Sequence, residues 1–261
     1  MNYFTPGGVS VMVDAVLARL PLFSDLAEAE IESVSAVMRR RRYAKGSLIH
    51  AAGAMGADFY VIESGRVKVQ LATERGEALT LRLLGPADFF GEISLFDEEP
   101  WYGDAVAVDD CRLLLLAKRD FLAVIDKYPS VSRKLLTVIC RRLRHNASFA
   151  RDLAFLDVPT RLARAIVVLV ESEGWGWTGD QCRQDSRLAG ITQSDLAGLV
   201  GATRESINKW LGYYERRGYI SRKRDGIVVL RLDELRSRAG VELARTTSSA
   251  VIPTDREAPS W

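Results

Sequence analysis

Hydrophobic positions along the chain change their spacing several times, and each change predicts a different kind of structure. Between Val11 and Arg42 apolar residues recur at mixed three- and four-residue spacings, which indicates helix. Pro21 interrupts this stretch, so we expect two short helices. The arginine run 39–42 is expected to close the second helix, where cations complement the helix dipole.

From Tyr43 to about Ala117 the pattern becomes one of short alternating segments separated by glycines. The stretch from Asp58 to Ala72 alternates on both sides of a predicted turn at Ser64-Gly65. Strands of this length, with turn signals every eight to twelve or so residues, predict an antiparallel barrel or sandwich. We therefore expect a compact β domain here.

A helical period returns after Lys118 and continues to Phe155. A helix from Pro129 to Phe155 would be about 40 Å long at 1.5 Å per residue, and its apolar seam is typical of a coiled coil. Dimerisation is the expected use, and packing against the β domain is the alternative. Within the seam, Asn146 could fix the register or face a ligand. The predicted seam comprises Leu136, Ile139, Leu143, Asn146, Ala150 and Leu153.

A further helix is predicted between the long helix and Gly174. Asp157 or Thr160 can cap it, and Pro159 suits its first turn. Its predicted inner face consists of Leu162, Ile166 and Leu169. The tract 174–190 is expected to be loop or weak hairpin.

Two helices joined by a tight turn are predicted over residues 191–211. Thr192 and Asp195 are spaced like a capping box, Gly201 gives the turn its backbone freedom, and Thr203 can cap the second helix. Polar side chains then lie outside at the start of the second helix, where a recognition helix meets base edges. A plain helical hairpin with a solvated charged face is the alternative.

Positive charge is concentrated in the same region. The formal net charge of the chain is only +2, but Gly201 to Arg231 holds eight Lys/Arg against three Asp/Glu. A hairpin with a turn at Asp225-Gly226 carries part of this charge and could touch a backbone as a wing. Arg or Lys can donate to guanine and Glu can accept from cytosine, whereas hydroxyl side chains suit phosphates. The predicted DNA-binding residues are Thr192, Gln193, Thr203, Arg204, Glu205, Ser206, Asn208, Lys209, Arg222 and Lys223.

Composition excludes several other functions. Apolar runs fall far short of the roughly 18 residues of a membrane span, and the N-terminus lacks a signal peptide, so we expect a cytoplasmic protein without a membrane partner. No nucleophile–base constellation or nucleotide-hydrolysing loop indicates an enzyme. The cysteines and histidines are too scattered for a disulfide framework or a metal site; they are Cys111, Cys140, Cys182, His50 and His145.

The order of β domain, seam helix and winged helix-turn-helix resembles the Crp/Fnr family of bacterial transcription regulators over roughly Leu20 to Leu235. The resemblance implies an α+β fold and a homodimer that binds palindromic DNA, with RNA polymerase as a further partner. It also implies a ligand-linked movement of the long helix. The matching stretches are YAKGSLIHAAG, FYVIESGRVKV, FFGEISLFDEEP, LAFLDVPTRLAR and ITQSDLAGLVGATRESINKWL.

The domains that this resemblance implies divide the chain into five parts. An N-terminal extension (1–19) precedes an antiparallel β-roll (jelly-roll-like) effector domain of the cyclic-nucleotide-binding type (20–128). A dimerisation helix (129–156), a winged helix-turn-helix domain (157–236) and a disordered tail (237–261) follow.

In family members that bind cyclic AMP, backbone amides near Ile93 would cradle the phosphate and Glu92 would accept from the ribose 2′-hydroxyl. The Arg-Ser or Arg-Thr pair that should follow is missing: depending on a one-residue gap, the arginine position holds Trp101 or Tyr102, and the next position holds Tyr102 or Gly103. Losing that charge-assisted bond costs about 1.5–3 kcal/mol, so ordinary cyclic AMP binding is not expected. Either Arg142 substitutes as the cation, or the two aromatic residues fill the pocket and a flatter small effector or none is used. The predicted effector pocket comprises Gly91, Glu92, Ile93, Ser94, Trp101, Tyr102, Arg142 and Asn146.

Two other classes of protein stay open at this stage. One is a cyclic-nucleotide-binding regulatory module of another protein, which needs no base-contacting helix. The other is a nonspecific nucleic-acid-binding protein, which would show no sequence preference and a steep salt dependence.

Overall fold

A computed structural model describes residues 15–56, 58–73, 77–171, 187–224 and 226–240. Within these residues, eight strands form two four-stranded antiparallel sheets ordered β1-β8-β3-β6 and β2-β7-β4-β5. The predicted antiparallel β domain is therefore confirmed. The strands are β1 Arg39–Tyr43, β2 Leu48–His50, β3 Asp58–Ser64, β4 Val67–Ala72, β5 Ala78–Leu84, β6 Phe89–Phe90, β7 Asp104–Ala107 and β8 Cys111–Ala117.

Alternation along β3 explains how the domain builds two cores. Phe59 and Val61 pack on one face with the surrounding helices, whereas Tyr60 and Ile62 face the space between the two sheets. Successive side chains of a strand point to opposite faces, so a strand that is apolar at every position can be buried on both sides. The helices around the β domain are α1 Glu28–Ser35, α2 Glu92–Phe96 and α3 Lys118–Lys127.

The prediction that the arginine run ends a helix is wrong. Helix α1 ends at Ser35, and the arginines form β1, which pairs with the buried strand β8 from Arg39 opposite Leu115 to Tyr43 opposite Cys111. Pairing with a distant strand overrides the local helical pattern. The exposed arginines also suit an edge strand, because charge there opposes pairing with another chain.

Helix α4, Pro129–Phe155, has the bounds that the sequence predicts. Its first turns pack on the β domain through the buried Val131 and Leu135. Two members of the predicted seam are open, with Leu136 62% exposed and Leu143 68% exposed, whereas Ile139 packs against the core of the β domain. An apolar stripe on a long helix is therefore left uncovered in the single chain.

The C-terminal domain is a helix-turn-helix unit with a three-stranded sheet. Strand β9, which was not predicted, completes the sheet in the order β10-β11-β9. The core includes all three predicted residues of α5, and the hydroxyl of Tyr214 donates to the carbonyl of Pro159 over 2.7 Å. The elements are α5 Val158–Glu171, β9 Arg187–Ala189, α6 Gln193–Val200, α7 Arg204–Arg216, β10 Ile220–Lys223, β11 Gly226–Val229 and α8 Leu232–Arg238.

The folded part extends slightly beyond the predicted domain limits at both ends. Leu17, within the predicted extension, is fully buried in the core of the β domain. Helix α8 runs to Arg238, and Ala239 is fully buried, so the first residues of the predicted tail belong to the fold. Residues 1–14 and 241–261, Asp225 in the predicted hairpin turn, and Gly174 lie outside the described residues.

The helix-turn-helix domain is docked on the β domain of the same chain. Helix α6 packs on β5, and Lys68 Nζ lies 3.2 Å from Asp195 Oδ1. Arg66 pairs with Asp109 and donates to the carbonyl of Gly190 over 3.2 Å. A Cβ atom on Gly198 would lie only 2.5 Å from Thr80 Oγ1, so a residue without a side chain permits this close approach.

Candidate DNA interface and effector pocket

Both helices of the helix-turn-helix begin at the predicted caps. Thr192 Oγ1 accepts from the amide of Asp195 over 3.1 Å, and Asp195 Oδ2 accepts from the amide of Thr192 over 3.0 Å. Thr203 Oγ1 accepts from the amide of Ser206 over 3.2 Å. Gly201 has φ +64°, the left-handed conformation that its turn requires. The predicted capping box, turn and second cap are confirmed.

The caps limit what their hydroxyl groups can do for DNA. The Thr192 hydroxyl donates its only proton to Asp195 Oδ2 over 2.6 Å, so it cannot also donate to a phosphate. Burial would raise the pKa of Asp195, but the hydrogen bonds from Thr192 and the charge of Lys68 outweigh it and hold the pKa below its ordinary value. Asp195 is therefore ionised at neutral pH and fixes the start of α6.

The exposed face of α7 carries the side chains predicted to contact bases. Arg204, Glu205, Asn208 and Lys209 are exposed, whereas Ile207, Leu211 and Tyr214 are buried in the domain core and Trp210 is half-buried. Ser206 is half-buried. Donors and an acceptor that match base edges thus lie on the outer side of the helix, near its N-terminus.

The wing is tied to this helix through Arg222. Its Nε donates to Glu215 Oε2 over 2.7 Å, and its Nη1 donates to Asn208 Oδ1 over 3.0 Å. Gln193 Nε2 reaches the same oxygen over 3.4 Å. Hydrogen bonds from the backbone and side chain of Arg222 lower the pKa of Glu215. Three predicted residues, Gln193, Asn208 and Arg222, are thus brought together, and Lys223 is exposed next to Arg222.

The predicted phosphate-binding cassette, Gly91 to Ser94, has the backbone of an anion-binding turn. Gly91 has φ +90° and precedes the short helix α2, and a Cβ atom here would lie 2.5 Å from the carbonyl oxygen of Asp58. Glu92 and Ser94 in this helix are buried. The frame of an anion-binding turn is therefore present.

Trp101 occupies the space next to this frame. Its ring is 5% exposed, stacks on His50 at a centroid distance of 4.0 Å and meets Tyr60 and Phe90 edge-on. The indole Nε1 donates to the carbonyl of Gly56 over 3.1 Å. Tyr102 is more exposed and lines the same space.

Two cations already occupy the polar side of the pocket. Arg142 Nη1 lies 2.5 Å from Glu92 Oε1, and Arg82 Nη1 lies 3.7 Å from the same atom. Arg142 also donates to the carbonyl of Phe89 over 2.7 Å. Burial and the nearby Arg142 lower the pKa of Arg82. Glu92 is thus held in an internal network and is not open to a ribose hydroxyl.

The room left between the cassette and the aromatic residues is only about 10 Å³. A single water needs at least that much, so a nucleotide does not fit unless side chains move. Within the described chain, Asn146 is exposed and does not line this space. The sequence analysis did not place Arg82 or His50 near the effector pocket. The available signal for Arg82 was that it is a lone cation in the otherwise apolar strand β5.

Metal chemistry and membrane insertion find no support in the described residues. No group of three His, Cys, Asp or Glu there is close enough to hold a metal ion. In the same part of the chain no helix is long and apolar enough to span a bilayer. Cys111 is buried, Cys140 is exposed, and Cys182 lies outside the described residues.

Comparison with known proteins gives two family matches. The cyclic nucleotide-binding domain matches residues 40–128, and the Crp-like helix-turn-helix domain matches residues 160–238. These ranges coincide with the β domain and with the helix-turn-helix unit and its wing.

Relatives with assigned roles cover most of the chain. A CRP-like cAMP-activated global transcriptional regulator of Mycobacterium tuberculosis is 31% identical over 227 residues, which are 87% of this chain and 100% of that protein. The cyclic AMP receptor protein of Thermus thermophilus is 34% identical over 200 residues, 77% of this chain and 88% of that protein. A solved CRP/FNR-family transcriptional regulator from Thermus thermophilus is 29% identical with a TM-score of 0.63, covering 77% of this chain and 98% of its own. These relatives are regulators and not enzymes.

Proposed function

The chain belongs to the Crp/Fnr family of transcription regulators, and on that premise we propose that it acts as a homodimer that binds a palindromic operator sequence-specifically. It does so in the cytoplasm, with RNA polymerase as a further partner. Its β domain serves as an effector domain, but it does not respond to cyclic AMP in the way that the names of its relatives describe.

The exposed seam of α4 supports the homodimer. Leu136 and Leu143 lie two turns apart on one side of the helix with large exposed fractions, and Asn146 and Ala150 continue this side as exposed residues. Large apolar side chains in a regular row on a helix are typical of a surface that another helix covers. A second α4 would cover them and place the two DNA-binding domains symmetrically, as a palindrome requires.

The exposed start of α7 is the observation that carries the DNA-binding proposal. Arg204 and Lys209 supply donors for guanine, and Glu205 supplies an acceptor for cytosine. Phosphates are contacted by Gln193, Thr203, Ser206 and the wing residues Arg222 and Lys223, with the N-terminus of α6 at Thr192 beside them. Arg222 is also bonded to Asn208, which joins the wing to the exposed side of α7.

Selection of bound duplexes from a random pool tests this function. We expect the enriched sequences to share an inverted repeat with half-sites about one helical turn apart. Arg204→Ala should relax the preference at one base pair per half-site, whereas Arg222→Ala should weaken all duplexes alike. Arg216→Ala is the matched control, since it removes the same charge at the other end of α7.

Two results would contradict the proposal in different ways. Enrichment of no sequence, with binding that falls steeply with salt, would indicate a nonspecific nucleic-acid-binding protein. No binding of any duplex would instead favour a regulatory module of another protein.

The filled pocket supports the proposal about the effector. Trp101 is buried against the space beside Gly91 to Ser94, and Glu92 is paired with Arg142. Calorimetric titration with cyclic AMP and cyclic GMP should give affinities roughly ten- to several-hundredfold below those of relatives with the cassette arginine. Tight binding of either nucleotide would show that Trp101 moves aside or that Arg142 leaves Glu92 to pair with the phosphate.

A further inference from the structure

A second and larger cavity lies where the long helix meets the DNA-binding domain. It has a volume of about 300 Å³, compared with about 10 Å³ beside Trp101. Cavities of this size are at the lower end of those that hold small-molecule ligands. Its apolar wall comes from four elements: Leu81 on β5, Phe149 on α4, Val168 on α5 and Leu199 on α6.

The lining of this cavity includes an ion pair, and one of its two residues also carries a buried donor without an acceptor. Asp152 is 8% exposed and lies 2.6 Å from Nη1 of Arg164, whose Nη2 donates to the carbonyl of Ala239. Arg164 Nε is buried and makes no hydrogen bond. Such a buried N–H group is costly unless an acceptor oxygen reaches it.

Charge along this lining is positive overall. Arg151, Arg161 and Arg164 line the cavity, and the one carboxylate among its lining residues is Asp152. Arg161 donates to the carbonyls of Val200 and Leu156 and forms no salt bridge with any described residue. Burial, followed by the charge of Arg82, lowers the pKa of His145, which is therefore neutral at pH 7. The cations thus outnumber the acid, which favours an anionic group.

The position of the cavity links its occupant to DNA binding. Its wall joins the β domain, the long helix and both helices α5 and α6, so a bound molecule touches each of them. Arg161 also donates to the carbonyl of Gly201 at the turn between α6 and α7. The predicted seam residues Leu143, Asn146 and Ala150 do not line it, so the cavity and the proposed dimer contact use different side chains of α4.

We propose that this cavity binds a small, largely apolar carboxylate whose body packs on Phe149 and Val168 and whose carboxylate accepts from Arg164. Occupancy changes the affinity for DNA by altering the docking of α6 on β5. The binding itself is independent of the proposed DNA-binding function, and only its effect on DNA rests on that function.

Calorimetry on the full chain with 4-phenylbutyrate and its neutral counterpart 4-phenylbutan-1-ol tests the site. We expect one carboxylate to bind per chain below about 1 mM, and the alcohol to bind at least about tenfold more weakly. Ala165→Phe fills the cavity from α5 and should abolish binding. The control is Ala123→Phe, the same change at an exposed position on α3 away from the cavity, which should leave binding unchanged.

Each other outcome overturns a defined part of the proposal. Equal binding of acid and alcohol would show that the site does not recognise the carboxylate group. Binding that survives in Ala165→Phe, once circular dichroism has shown that the variant is folded, would show that the compound binds outside this cavity. If neither compound binds, the proposal that this cavity is a binding site is wrong. Anisotropy of a selected duplex, with and without 4-phenylbutyrate, then tests regulation: unchanged affinity despite carboxylate binding overturns the link to DNA. Failure of the apo protein to bind any duplex counts instead against the proposed function.

Discussion

Replacing Gly198 by alanine tests whether the helix-turn-helix domain is docked on the β domain in solution. The new Cβ atom would lie 2.5 Å from Thr80 Oγ1 and 3.4 Å from the carbonyl oxygen of Ala78. Thr80 is 5% exposed and belongs to the middle of β5, so it has little freedom to move away. The substitution therefore forces a clash between the two domains.

The magnitude follows from two opposing effects. Overpacking a well-packed site costs about 1–3 kcal/mol, whereas alanine in place of glycine inside a helix stabilises by up to about 1 kcal/mol. We expect Gly198→Ala to lower the free energy of unfolding by about 1–2 kcal/mol on balance. Thr80→Ala removes the clashing oxygen and leaves contacts of ordinary length, so the double variant should recover most of this loss.

Urea unfolding of the wild type, both single variants and the double variant, at one protomer concentration, measures the coupling between the two positions. We expect a coupling of about 1–2 kcal/mol. Gly212→Ala is the control, because its Cβ would meet only Arg216 Nη1 at 3.6 Å, and it should stabilise the protein slightly. If Gly198→Ala also stabilised the protein, with no coupling to Thr80, the domains would not be docked through α6 and β5.

Three further changes test other parts of the structure. Trp101→Ala should lower the free energy of unfolding by about 3–5 kcal/mol, because it empties a packed site between His50, Tyr60 and Phe90. A decrease in the free energy of unfolding below about 1 kcal/mol would mean that Trp101 does not fill the pocket. Asp195→Asn should cost about 1 kcal/mol in urea at pH 7. The pKa of Asp195 in the folded protein lies below its ordinary value, so this contribution is present above the unfolded-state pKa and is lost as the pH falls through the native pKa. The difference between wild type and variant should therefore shrink in acid, and an equal difference at pH 7 and in acid would contradict this. Leu143→Asp should dissociate the dimer in sedimentation, whereas Thr137→Asp, beside the seam on the same helix, should not; an intact Leu143→Asp dimer would place the interface elsewhere.

The local features of the DNA-binding domain could be predicted because their signals are local. A threonine cap, an acid three residues later and a glycine at the turn fix the start of α6 and its end at Gly201 within ten residues. The long helix of 27 residues was predictable for a similar reason, since an apolar period holds from Leu136 to Leu153 within it. Such short-range chemistry is contained in the sequence itself.

Features that depend on distant pairing could not be predicted in the same way. The arginines of β1 carry no strand pattern of their own and become a strand because β8 pairs with them. Strand β9 likewise depends on β11. The pairing of Glu92 with Arg142 joins residues 50 positions apart. The sequence could show that the cassette arginine was absent, and that Trp101 filling the pocket was one alternative, but not that Arg82 also faces Glu92.

The most direct test of the account is the affinity for two duplexes at one fixed salt concentration. One carries the inverted repeat obtained by selection, and the other is a scrambled sequence of the same composition. Fluorescence anisotropy should show binding at least about a thousandfold tighter to the first duplex, and Arg204→Ala should reduce that ratio about five- to 150-fold. Equal affinity for both duplexes, or an unchanged ratio in Arg204→Ala, would contradict sequence-specific binding through the exposed face of α7.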